Sequence, residues 1–116
     1  MPELPEVETT IRYLDSKVNG KKILSIKTSK KKLRKNLHIK YFLVIEGSII
    51  KSVDRKAKYI VLTLKPLRYL VIHLGMSGRL KFFNKKNYTN EKHDHVVMEF
   101  SQFNVVFNDP RRFGMF

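Results

Sequence analysis

HVVMEFSQFNVVFND, residues 95–109, holds two short apolar runs separated by the polar pair Ser101-Gln102. Within HVVMEF and FNVVFND apolar and polar residues alternate, the period of a strand with one buried face, and the break between them is short enough for a hairpin. The same grammar extends backward along the chain. LRYLVIHLGMSGRLKFF (67–83) reads as two strands hinged between Gly75 and Gly78, and KSVDRKAKYIVLTL (51–64) as further β structure. YFLVIEGSII (41–50) reads as a strand broken near Glu46-Gly47, and KKILSIKTSK (21–30) as a strand. The basic stretch KKKLRKNL (30–37) and the polar NKKNYTNEK (84–92) are expected to be loops.

Only the first twenty residues break this pattern. Val7, Ile11, Leu14 and Val18 recur at helical spacing, Pro5 suits a first helical position, and Asn19-Gly20 ends the run. Glu6 and Glu8 fall in the first turns, where carboxylates complement the helix dipole. One helix followed by many short strands predicts a mainly β domain, an antiparallel sandwich or barrel.

Composition narrows the function. The 116 residues suit a single domain. With no cysteine there is no disulfide, no Cys-ligated zinc and no thiol chemistry within these residues, which fits a reducing cytoplasm. The start shows no signal peptide, and no apolar run approaches the roughly 20 residues of a membrane helix, so a soluble protein is expected. The formal charge is +14. Residues 1–15 hold Glu3, Glu6, Glu8 and Asp15 against Arg12 alone, so +17 falls on the remainder. Such a surplus points to a polyanionic partner, above all nucleic acid, although a lysine-rich solvated surface gives the same count.

Several positions carry possible chemistry. Pro2 follows Met1, and methionine before a small residue is normally trimmed, which leaves a secondary amine. A terminal amine with a pKa of roughly 7.7–8.0 is partly neutral at physiological pH and can attack a sugar carbon to form an iminium ion. Glu3 and Glu6 lie close enough in sequence to handle protons, yet a Pro-x-x-Pro start also serves simply to open a helix. Lys56 and Lys58 are expected on one face of a strand with Arg55 near its start, either as phosphate clamps or as solvated edge lysines. His73 reads as a phosphate donor or a core histidine. Met76 sits between glycines, and NDPRRFG (108–114) sets Arg111 and Arg112 beside Phe113 in a turn. Exposed apolar wedges next to arginine are what proteins insert where a base leaves its stack. His93 and His95 share a strand face without a third ligand, so no metal site is expected.

Taken together, MPELPEVET, AKY at 57–59, IHLGMSGRL at 72–80, EKHDHV at 91–96 and NDPRRFG at 108–114 are far more specific than any one of them. The chain resembles, over essentially its whole length, the N-terminal domain of the formamidopyrimidine-DNA glycosylases. The resemblance implies a two-sheet antiparallel β-sandwich with the N-terminal helix at its edge. It implies a bacterial, cytoplasmic base-excision repair enzyme that removes oxidised purines such as 8-oxoguanine and formamidopyrimidines and cuts the backbone by β,δ-elimination. Pro2 would be the Schiff-base nucleophile, Glu3 its acid/base and Glu6 a support. Lys58 would orient a phosphate, His73 and His93 would contact the DNA, and Met76, Arg111 and Phe113 would fill the space of the flipped nucleotide.

The family continues into a helix–two-turn–helix domain and a zinc finger that these residues lack, so RRFGMF reads as a cut end. Damaged duplex DNA is the expected partner, with no membrane. No cofactor is expected in these residues, a zinc ion belonging to the missing finger. Alone they are expected to bind DNA weakly and to be inactive, and a bared sandwich face would be open to pairing with a second copy. The competing reading is a non-catalytic basic β domain that grips nucleic acid through its lysine-rich 17–35 stretch.

Overall fold

The structure is a computed structural model that describes residues 4–28, 43–74, 78–85 and 94–108. It opens with helix α1, Leu4–Val18, whose buried positions Val7, Ile11, Leu14 and Val18 form the stripe expected from their spacing. The helix stops where the sequence says it should. Asn19 donates from its backbone to the Asp15 carbonyl at 3.1 Å and from its side chain to the Asp15 carboxylate at 2.9 Å. Gly20 then takes a left-handed φ of 78°, the conformation that closes a helix C-terminus.

Seven strands follow: β1 Ser25–Thr28, β2 Ile49–Lys56, β3 Tyr59–Lys65, β4 Arg68–Ile72, β5 Arg79–Asn84, β6 Asp94–Glu99 and β7 Phe103–Asn108. They form two antiparallel sheets, ordered β1-β6-β7-β5 and β2-β3-β4. This is the mainly β, two-sheet sandwich that the residue pattern and the resemblance imply. The β6–β7 hairpin around Ser101-Gln102 is present as expected, with Glu99 opposite Asn104. Ile60, Leu62 and Leu64 of β3 face Met98, Val105 and Phe107 of the other sheet within one apolar core.

Residues 20–28 tie the two sheets together. The Gly20 N–H donates to the Ile50 carbonyl and the Ile23 N–H to the Ser48 carbonyl, beside the three-stranded sheet. The Leu24 N–H then turns to the Glu99 carbonyl, and β1 pairs with β6. The free edge of β1 is blunted at Ile26, whose N–H donates to the Glu46 carboxylate at 2.9 Å. Helix α1 runs antiparallel to β2, anchored by Glu8 on Arg55 at its start and by Gly20 on Ile50 at its end. The lengths agree: the ten helical steps from Glu8 to Val18 rise about 15 Å before the Asn19-Gly20 turn, and the five strand steps from Ile50 to Arg55 span about 17 Å. Tyr13 meets Phe82 of β5 edge-on at 4.7 Å, so the helix touches an edge strand of each sheet.

Two local expectations are corrected. Leu43–Ile45 is a single helical turn, with the Ser48 N–H on the Ile45 carbonyl, whereas the sequence reading made 41–50 a broken strand. An apolar run without alternation has no period that separates strand from helix. Here Ile45 is buried while Leu43 and Val44 face solvent. Lys56 and Lys58 do not share a strand face either. Lys56 pairs with Tyr59, so Ala57 and Lys58 are the two-residue loop of the β2–β3 hairpin. No Gly, Asn or Asp marks that turn, which is why the sequence concealed it.

One ionic cluster predicts a pH effect. The Ser25 hydroxyl donates to Glu99, and this hydrogen bond, together with the Lys27 ammonium at 3.2 Å, holds the Glu99 carboxyl below its ordinary value of 4.5 against the opposing effect of burial. A depressed folded pKa contributes stability above the unfolded value and loses it as pH falls through the folded one. Ser25→Ala is therefore expected to be less stable than the parent at pH 7 and to converge with it in acid. Urea unfolding across that range checks this, and a gap that stays constant with pH would refute it.

Candidate nucleic-acid interface

The antiparallel pairings deliver one end of every major element to the same place. β2 leaves at Lys56, β3 enters at Tyr59 and β4 ends at Ile72, all at one end of the three-stranded sheet. In the other sheet β5 begins at Arg79, β6 begins at Asp94 and β7 ends at Asn108, and these three residues stand opposite one another. The Gly78 N–H joins the two groups by donating to the Leu74 carbonyl at 2.9 Å. That turn is tight. A Cβ on Gly78 would lie 2.2 Å from the Leu74 oxygen and 3.0 Å from Phe107, so only glycine fits. The helix start is drawn to the same end by the Glu8–Arg55 pair.

Among the sequence candidates, Glu6, Lys58 and His73 are described. Glu6 is exposed in the first turn of α1, its backbone carbonyl accepting from the Thr10 hydroxyl at 3.0 Å. Lys58 is exposed at the tip of the β2–β3 turn, with its ammonium 6.0 Å from the Tyr59 ring centroid. That ring in turn lies 5.3 Å from half-buried His73, so Tyr59 bridges the two phosphate-contact candidates. Pro2, Glu3, Met76, His93, Arg111 and Phe113 lie outside the described residues. His95, weighed above as a metal-ligand partner of His93, is a buried residue whose ring lies 6.4 Å from Phe107. Among the described residues no three His, Cys, Asp or Glu converge as a metal site, and no helix is long and apolar enough to cross a membrane.

The structure adds one residue that the sequence did not single out, Arg79, and gives Arg55 contacts that the sequence did not foresee. Arg79 is exposed at the entrance of β5, opposite Asn108, and adds a cation to the end that already carries Lys56 and Lys58. Arg55 uses its guanidinium twice, donating from Nε to the Glu8 carboxylate at 2.5 Å and from Nη1 to the Ala57 carbonyl at 2.8 Å. Ala57 itself takes a φ of 54°, a left-handed conformation that costs a non-glycine residue about 1–2 kcal/mol. Strained residues of this kind persist where surrounding contacts hold them, and they gather at functional sites. What the arrangement offers chemically is a cationic rim with aromatic support, suited to holding phosphates beside the start of a helix.

Known proteins similar to this chain point to one family. The family model for the formamidopyrimidine-DNA glycosylase N-terminal domain matches residues 1–116. A formamidopyrimidine-DNA glycosylase from Zymomonas mobilis is 45% identical over 115 residues, which are 98% of this chain and 42% of that protein. The Lactococcus lactis Fpg solved with an abasic site containing DNA superposes with a TM-score of 0.89 at 31% identity, over 98% of this chain and 42% of that one. The Lactococcus lactis FPG solved with a FAPY-dG containing DNA gives 0.87 at 31% identity, over 97% and 42%. The chain thus spans less than half the length of the relatives it matches.

Proposed function

The chain belongs to the formamidopyrimidine-DNA glycosylase family, and from that membership we propose that it forms the catalytic N-terminal domain of a base-excision repair enzyme that excises oxidised purines and then cleaves the abasic strand. The observation that carries this reading is the convergence at one end of the sandwich. The helix start, the Lys58 turn, His73 and the strand ends that lead into residues 75–77 and out of 108 all meet there. The solved relatives bound to FAPY-dG and abasic-site DNA support the substrate class.

In the proposed reaction the neutral Pro2 nitrogen attacks C1′ of the damaged nucleotide. The C1′–N bond to the base breaks, the base leaves with a proton, and the sugar opens to an iminium ion on Pro2. That cation draws electrons from C2′, so loss of a C2′ proton expels the 3′ phosphate, and a second elimination expels the 5′ phosphate. Glu3 moves the protons at the sugar and Glu6 supports it. Lys58, His73 and His93 hold the flanking phosphates, while Met76, Arg111 and Phe113 occupy the space left by the everted nucleotide.

The test is borohydride reduction of the intact gene product mixed with duplex DNA carrying an abasic site, followed by peptide mapping. A covalent sugar adduct on residue 2 is expected. DNA binding without any adduct would overturn the enzymatic reading and leave a basic binding domain. Lys58→Ala provides a graded check. Loss of one charge-assisted contact, typically about 1.5–3 kcal/mol, predicts a fall in kcat/KM of roughly 10- to 100-fold. It should also flatten the salt dependence of DNA binding by about one counterion. An unchanged salt slope would remove Lys58 from the phosphate contacts.

A further inference from the structure

We propose that Arg55 is a positioning residue, whose single guanidinium fixes the Lys58 turn relative to helix α1 at Glu8 and so sets the direction in which the phosphate clamp is aimed. This rests on the repair reading above. The two contacts point in different directions, Nε to the Glu8 carboxylate of the helix and Nη1 to the Ala57 carbonyl of the turn. Ala57 immediately precedes Lys58, and it is the residue held at positive φ. Arg55 therefore grips the peptide whose geometry aims the lysine.

A stability role does not account for this arrangement. The Arg55 and Glu8 side chains are 34% and 44% exposed, and ion pairs at such exposure contribute little to folding. Nor does a general attraction for DNA, because a guanidinium engaged with a carboxylate presents little net charge outward. What the fork supplies is direction. Its donors are planar and rigid, whereas a lysine ammonium is one point charge on a flexible stem and cannot serve both acceptors in the same way. Small displacements of a group that orients substrate are costly to rate even when affinity survives.

The experiment compares the intact gene product with Arg55→Lys, Arg55→Met, Lys58→Ala and the Arg55→Lys/Lys58→Ala double variant, on duplex DNA with an abasic site. Wild-type adduct formation is measured first, and its absence defeats the repair reading and this proposal with it. Given the adduct, Arg55→Lys is expected to lower single-turnover kcat about 10-fold or more. KM, the salt slope and the urea midpoint should stay near the parent values. Arg55→Met should lose as much rate. In the Lys58→Ala background the further loss from Arg55→Lys should largely vanish, because a residue that acts through Lys58 has nothing left to position. Wild-type turnover by Arg55→Lys, or losses that multiply independently in the double variant, would overturn the proposal while leaving the repair reading intact.

Discussion

A protein that keeps Met1 will form no borohydride-stable adduct with abasic DNA, while the same protein trimmed to Pro2 will form one readily. The expected effect is complete rather than graded, because it turns on a lone pair. In a peptide bond the nitrogen lone pair is delocalised into the carbonyl, and an acylated proline nitrogen cannot add to C1′. An ordinary terminal amine titrates near 7.7–8.0, so a minor fraction of such a group is neutral at pH 7 and able to attack. Adduct formation by the trimmed form should accordingly rise as pH climbs through that range. The comparison needs two proteins, one with an uncleaved N-terminal extension and one tagged at the other end, with the first residue of each identified by mass. Both should bind the abasic duplex. An adduct from the extended protein at a comparable rate would move the nucleophile from Pro2 to a lysine side chain.

The elements that were legible in the sequence are those whose period leaves one interpretation. Val7, Ile11, Leu14 and Val18 can line one face only as a helix, and the Asn19-Gly20 stop is chemical rather than statistical. The hairpin around Ser101-Gln102 likewise has one reading, because its short polar break lets Val96 and Met98 of β6 stand opposite Phe107 and Val105 of β7 in the core, although β7 is buried all along 104–108. Where period failed, so did the reading. Leu43-Val44-Ile45 is apolar throughout, and only the fold decides that Ile45 alone goes inward. The Lys58 turn was hidden for the opposite reason. Its left-handed residue is an alanine, held there by a guanidinium two positions back.

The site divides along the same line. Lys58 and His73 were named from residue type and resemblance. That they stand on either side of Tyr59 was not legible, since it follows from antiparallel register: β4 ends where β3 begins, and β5 begins where β7 ends. Arg55 is the sharpest case. Its partner Glu8 is 47 residues away, and neither the helix-dipole reading of Glu8 nor the strand reading of Arg55 joins the two. Contacts across such separations are written in topology rather than in any local pattern.

The largest stability effect belongs to a pair that supports this end from beneath. Lys81 of β5 places its ammonium 3.0 Å from the Asp94 carboxylate at the entrance of β6. Asn108, the last residue of β7, donates to the same carboxylate oxygen at 2.9 Å. The Asp94 side chain is fully buried and that of Lys81 is 16% exposed, so solvent screening does little to weaken the interaction. Removing one partner of a buried pair leaves a charge that water cannot reach, and the cost is typically about 3–5 kcal/mol. Lys81→Met retains the stem that packs on the sheet and removes only the charge. It is therefore expected to lower the unfolding free energy by about that amount, read as a shift of the urea midpoint at unchanged slope. Neutralising the other partner should recover part of the loss, because Asp94→Asn exchanges the buried carboxylate for an amide facing Asn108. The Lys81→Met/Asp94→Asn protein should thus be more stable than Lys81→Met alone. A loss below about 1 kcal/mol for Lys81→Met, the range of an exposed pair, would show that the interaction is solvated. The pair would then not hold together the strand ends that lead into NDPRRFG.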